Sequence, residues 1–143
     1  DIFSVSFTTD NDGWVCGRWG AVLHTADGGK TWVEQESGTD YTISDIYFTD
    51  RMNGWAVGDG GTIIHTSDGG KSWVKQKSPV ALWLMGVQFV TPLKGFIVAE
   101  RTTILVTENG GEKWEVQFKD EDFILKRVSS QSTPLYWHPL TFP

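Results

Sequence analysis

The chain has 143 residues, enough for one domain with a real core, and its formal charge of −6 excludes the basic face that nucleic acid or an anionic membrane surface requires. With 16 Gly, 8 Trp and only 21% charged residues, the composition suits short strands joined by tight turns, not a helical bundle. No apolar run approaches a membrane-spanning helix, and Cys16, as the only cysteine, rules out an intrachain disulfide.

Taken in chain order, the elements repeat. Val5 and Phe7 alternate along a first strand, and Gly13-Trp14-Val15-Cys16-Gly17 forms a second. The turn Thr25-Ala26-Asp27-Gly28-Gly29-Lys30-Thr31-Trp32 then separates a third strand from a fourth. Every landmark returns 41 residues on: Gly13-Trp14 as Gly54-Trp55 and Gly95-Phe96. Asp27-Gly28-Gly29 with Trp32 recurs as Asp68-Gly69-Gly70 with Trp73 and as Asn109-Gly110-Gly111 with Trp114. Two independent landmarks holding one period leave chance no room. In the second copy the strand signals fall at 43–48, 54–57, 62–66 and 73–76, with Ile46 and Phe48 on one face and Asp45 and Tyr47 on the other. Four strands in a unit of this length are the signature of a propeller blade.

The expected fold is therefore all-β: β-propeller blades of four antiparallel strands, three blades per chain, with repeats over 1–42, 43–83 and 84–125. Leu125 and Val128 stay on the repeat frame with Leu84 and Val87, so 126–143 reads as a partial extra strand followed by a tail rich in Pro and aromatics. Such an apolar tail is expected to dock on its own blades or on a partner's. The third copy drifts furthest, with Phe96 for Trp, Ala99 and Thr102 for Gly, and Asn109 for Asp, as terminal repeats often do.

The turn has its own physics. The Asp carboxylate accepts hydrogen bonds from turn amides, the glycines supply positive φ, and the Trp packs a large plate back onto the blade. These are structural roles. The turns, with the string Gly-Trp-Ala-Val-Gly, Gly-Thr-Ile-Ile-His-Thr and Asp-Gly-Gly-Lys-Ser-Trp across 54–73, resemble Asp-box (bacterial neuraminidase repeat) propellers, closest to the photosystem II stability/assembly factor family. The resemblance covers about residues 2–125. It implies a non-catalytic, usually exported or periplasmic propeller that acts by binding protein partners. Its relatives extend beyond photosynthesis, so it does not place this chain at a photosystem. Family members close a ring of about seven blades. Three blades leave two apolar faces and open strand edges. A homodimer closing a six-bladed ring is the preferred reading, and a piece of a longer protein the alternative.

Because antiparallel strands alternate ends, the Asp boxes share one rim with the first-to-second loops. The opposite rim holds the second-to-third loops and the inter-repeat connections, and there the copies disagree most. Arg18-Trp19 in copy one becomes Asp59-Gly60 in copy two and Glu100-Arg101 in copy three, while the connections bring Asp40-Tyr41, Val80 to Trp83 and Asp120 to Phe123. A shared scaffold with one divergent rim points to recognition there, against the bland alternative of unconstrained loops. The candidate binding residues are Arg18, Trp19, Tyr41, Asp59, Trp83, Glu100 and Arg101. Trp19, Tyr41 and Trp83 suit a protein hot spot or sugar stacking, and Trp83 also reads as core or dimer interface.

No catalytic residue, cofactor or metal is expected. A sialidase needs an arginine cluster, and the Arg-Ile-Pro signature is missing. The alternative function is a carbohydrate-binding or glycoside-hydrolase-related Asp-box propeller, for which Asp59, Glu100 and Asp122 would have to supply a carboxylate pair. His24 and His65 hold one position on neighbouring repeats, too far apart for a single ion, and read as structural. Cys16 stands where the other copies have Val57 and Val98, so it reads as a small buried hydrophobe.

Overall fold

The computed structural model describes residues 1–119; the tail, with Asp122, Leu125 and Val128, lies outside the described residues. Three antiparallel four-stranded sheets follow one another along the chain. Blade one holds β1 (Ile2–Phe7), β2 (Gly13–Gly17), β3 (Val22–Thr25) and β4 (Val33–Gln35). Blade two holds β5 (Ile43–Phe48), β6 (Gly54–Gly58), β7 (Thr62–Thr66) and β8 (Val74–Lys75). Blade three holds β9 (Leu84–Phe89), β10 (Gly95–Ala99), β11 (Thr103–Thr107) and β12 (Glu115–Phe118). In each blade the strands pair in sequence order. This is the all-β blade architecture that the repeat predicts.

The first strands of successive blades approach one another, whereas the fourth strands do not, so β1, β5 and β9 form the inner edge. The core lies between blades. One junction packs Trp14, Cys16 and Val22 of blade one against Ile43, Ile46, Phe48, Ala56 and Ile64 of blade two. The next packs Trp55, Val57 and Ile63 against Leu84, Val87, Phe89, Ile97, Leu105 and Trp114. Cys16 is thus the core hydrophobe that its repeat position implies. Phe48 stacks on Trp14 at a centroid distance of 3.7 Å, and Phe89 on Trp55 at 3.8 Å.

Polar bonds repeat with the packing. The Trp14 indole N–H donates to the Gly69 carbonyl (3.1 Å) and Trp55 to Gly110 (3.3 Å), each reaching the Asp-box turn of the following blade. The side-chain amides of Gln35 and Gln76 donate to the same two carbonyls at 3.1 and 3.2 Å. Asp45 joins all three inner strands: the Ser4 hydroxyl of blade one donates to it, and so does the Val87 amide of blade three at 2.9 Å.

Period-two alternation fails at one repeated point. Each first strand carries a β-bulge near its start, with register shifts between Ile2 and Ser4, between Ile43 and Asp45, and opposite Val98 and Ala99. The extra residues are Phe3, Ser44 and Met85. A bulge re-aims a side chain, so these three leave the blade faces that strict alternation would assign them.

Candidate functional site

The Asp boxes are scaffold down to individual bonds. The Asp27 carboxylate accepts from the Thr25 hydroxyl (2.8 Å), the Thr31 amide (2.9 Å) and the Thr31 hydroxyl (2.6 Å). Asp68 repeats the set with Thr66 and Ser72 at 2.8, 2.9 and 2.6 Å. These donors hold both carboxyls at about 2, well below the usual aspartate value. Asn109 keeps the side-chain oxygen and two of the bonds, from Thr107 at 2.9 Å and the Lys113 amide at 3.0 Å. Gly28, Gly29, Gly69, Gly70, Gly110 and Gly111 all take positive φ. Trp32, Trp73 and Trp114 meet Phe7, Phe48 and Phe89 edge-on.

His24 and His65 stack on Trp14 and Trp55, each at 4.7 Å, and burial holds the His65 imidazole below its ordinary value. Among the described residues no group of three or more His, Cys, Asp or Glu is placed to hold a metal ion. Burial, then the charge of Asp45, pushes the Cys16 thiol up to about 12, far from a nucleophile.

The two rims are arranged as strand alternation requires. On one, the amides of Gly28, Gly69 and Gly110 donate to the carbonyls of Asn11, Met52 and Leu93, tying each box to its first-to-second loop. On the other, the amides of Arg18, Asp59 and Glu100 donate to the carbonyls of Asp1, Thr42 and Trp83, each at 3.0 Å. All seven candidate residues lie on this second rim. Arg18 pairs with Asp1 at 3.2 Å, and Trp19 is 76% exposed. The Tyr41 ring lies beside Gly60.

Backbone conformation separates this rim from the rest. Blade two turns through Gly60 and Gly61, both at positive φ, as glycine permits. Blades one and three keep that turn but place Trp19 (φ 64), Arg101 (φ 62) and Thr102 (φ 51) in it. These are the only non-glycine residues at positive φ among the described residues. A left-handed conformation costs an L-residue about 1–2 kcal/mol.

Two of the candidates meet in a cleft of about 260 Å³ lined by Phe3, Thr42, Ser44, Asp59, Trp83 and Met85. Trp83 is fixed at both ends: its indole N–H donates to the Ser44 hydroxyl (2.7 Å) and its amide to the Glu100 carboxylate (2.9 Å). Phe3, Ser44 and Met85 are the three bulge residues, and they escaped the sequence reading because a bulge leaves no mark on an alternating pattern. Their common position in the repeat frame was the available signal. Trp19 borders a separate polar groove with Glu34, Glu36 and Asp40. A wider hollow of about 710 Å³ lies on the Asp-box rim. Two of its polar groups are spent on their own turns, Thr9 accepting from the amides of Asn11 and Asp12 and Asp50 from those of Met52 and Asn53, while the buried Thr8 hydroxyl has no hydrogen-bond partner among the described residues.

Blades stacked around a shared inner edge and locked by Asp-box turns define an Asp-box β-propeller protein. A family model for Photosynthesis system II assembly factor YCF48 matches residues 1–77, more than half of the chain. The chain belongs to that family, as the motif resemblance implied. A solved structure of YCF48 bound to D1 peptide is 25% identical, with a TM-score of 0.75 over 83% of this chain and 42% of that one. YCF48 from Cyanidioschyzon merolae is 28% identical, with a TM-score of 0.74 over 95% of this chain and 44% of that one. The chain therefore spans less than half the length of either. An ancestral GH74 enzyme (18% identity, TM-score 0.63, 79% of this chain and 18% of that one) shares the fold alone. So does the Niastella koreensis GH74 enzyme (17%, 0.60, 83% and 18%). No curated protein matches the chain.

Proposed function

We propose that the chain is a non-catalytic binding or assembly module that recognises a protein segment through the rim opposite its Asp boxes. One observation carries this reading: the strained non-glycine turns, with Trp19 and Arg101 in left-handed backbone, all lie on that rim. Blade two shows that the same turn can be built from glycine without strain, so the fold does not require those side chains. Strain kept where it is not needed for folding points to recognition. Family membership, and a relative captured with a peptide of D1, support a polypeptide partner.

The test is an array of immobilised peptides that includes D1 sequences. The wild-type chain should retain a subset, Trp19→Ala and Arg18→Ala should lose it, and Lys30→Ala on the opposite rim should keep it. Retention indifferent to Trp19 and Arg18, or glycan-array binding that depends on Trp19, Tyr41 or Trp83, would overturn the proposal. Glycosidase assays should be silent.

The exposed apolar face of blade one gives the same reading a quaternary half. Ile2, Val5 and Phe7 are exposed although their counterparts in the other blades are buried. We propose that a second copy covers them in the isolated chain. Light scattering should then return about 32 kDa, twice the 16.0 kDa of one chain. A well-folded species of half that mass would remove the dimer and leave the rim untouched.

A further inference from the structure

The cleft where the first strands of all three blades meet has a composition that narrows what it can accept. Its walls are apolar or aromatic: Phe3, Met85 and the Trp83 ring, all partly open to solvent. Its one charged group is Asp59, whose carboxylate takes part in no ion pair or side-chain hydrogen bond among the described residues. Glu100, the nearby acid that does have a partner, is spent on the Trp83 amide. Trp83 itself is preorganised, so its ring is held as a wall at no further entropic cost when a ligand arrives.

An aromatic face, apolar flanks and one unpaired carboxylate form a receptor for a long cationic side chain. The stem lies on the apolar walls and the head reaches the carboxylate and the ring face. The rim around the cleft has the same polarity. Arg18 and Asp1 pair with each other, and the remaining charges of its loops are Glu36, Asp40, Asp59 and Glu100 against Lys77 and Arg101.

We infer that the Phe3–Asp59–Trp83–Met85 cleft is the specificity pocket of the rim and takes an arginine or lysine side chain from a basic segment of the partner polypeptide. This rests on the reading of the rim as a peptide-binding surface, and it fixes the partner's charge. The bulge explains how the pocket is made: the extra residue in each first strand turns Phe3 and Met85 out of the blade faces and sets Ser44 under the Trp83 indole.

The test uses the full chain labelled with nitrogen-15, with the Trp83 indole N–H resonance (assigned by its loss in Trp83→Phe) as reporter. Three capped peptides are titrated: acetyl-Gly-Ser-Arg-Ser-Gly-amide, the same peptide with neutral citrulline for arginine, and the same with glutamate. The arginine peptide should shift the Trp83 indole in a saturable, salt-weakened manner. The citrulline and glutamate peptides should not, and Asp59→Asn should weaken the arginine peptide at least about tenfold while leaving the spectrum dispersed. Equal shifts from arginine and citrulline, or a shift from glutamate alone, overturn the cationic pocket. So does an unmoved Trp83 resonance when the peptide array is positive, and in that case the rim reading stands. If the array is blank as well, both fall.

Discussion

The outer face of blade one and the same face of blade two carry nearly the same residues at the same repeat positions, yet they differ sharply in burial. Ile43 and Phe48 are 0% and 5% exposed, whereas Ile2 and Phe7 are 52% and 45% exposed. Blade three agrees with blade two, with Leu84 at 0% and Phe89 at 3%. Sequence therefore determines which face is adhesive, while the neighbouring blade decides how much that face stabilises. Cores in this fold belong to junctions, not to blades.

The comparison breaks most visibly at the stacked phenylalanines. Phe48→Ala removes a ring sandwiched against Trp14 and is expected to cost about 3–5 kcal/mol, read from the urea midpoint at constant slope. Phe7→Ala should cost only about 1 kcal/mol at chain concentrations dilute enough to hold the monomer, and more where the proposed second copy covers the ring. Equal losses would mean that a second copy covers Phe7 in solution. Next come the box glycines. Gly29 and Gly70 share nearly the same φ, +91 and +89, but a Cβ on Gly70 would overlap the Gln35 side-chain oxygen, whereas one on Gly29 meets nothing nearer than Trp32 at 3.8 Å. Gly29→Ala should show backbone strain alone, about 1–2 kcal/mol, and Gly70→Ala about 1–3 kcal/mol beyond it.

A milder effect concerns acid. Asp27 and Asp68 have carboxyls lowered to about 2 in the folded chain, so their contribution is present above the unfolded aspartate value near 4 and is lost as pH falls towards 2. Thermal melts should show stability declining across that window. The double variant Asp27→Asn/Asp68→Asn, which copies the box that Asn109 already builds, should stay folded and flatten the decline. The smallest expected change is at the rim. Trp19→Gly relieves a left-handed tryptophan at some cost in chain entropy, so the unfolding free energy should hold or rise slightly, by less than about 1 kcal/mol, while peptide capture is lost. A large destabilisation would make Trp19 structural and end the proposal that it recognises a partner.

Much of the fold was legible because its determinants are local. An Asp, two glycines and a Trp at fixed offsets specify a turn by bonds spanning four residues, so spacing alone placed the boxes, the blades and the two rims. The rim candidates followed from strand direction. The cleft did not, because its geometry comes from a bulge, a backbone event without a residue-type signature, and from an indole hydrogen bond between residues 39 apart in the chain. The strain at Trp19 and Arg101 was half-visible: the glycine at 60 marks the turn, and its replacement in the other copies hinted at a cost that only φ values reveal.

One carboxylate alters how such a stack should come apart. In a linear array each unit interacts with its nearest neighbours, and terminal units can fray independently. Asp45, held by Ser4 on one side and by the Val87 amide on the other, reaches beyond that pattern and lets the first blade sense the third. The three blades should consequently open as one cooperative unit, with amide exchange in β1 and β9 slowing or quickening together, and Asp45→Ala should divide that single transition into two.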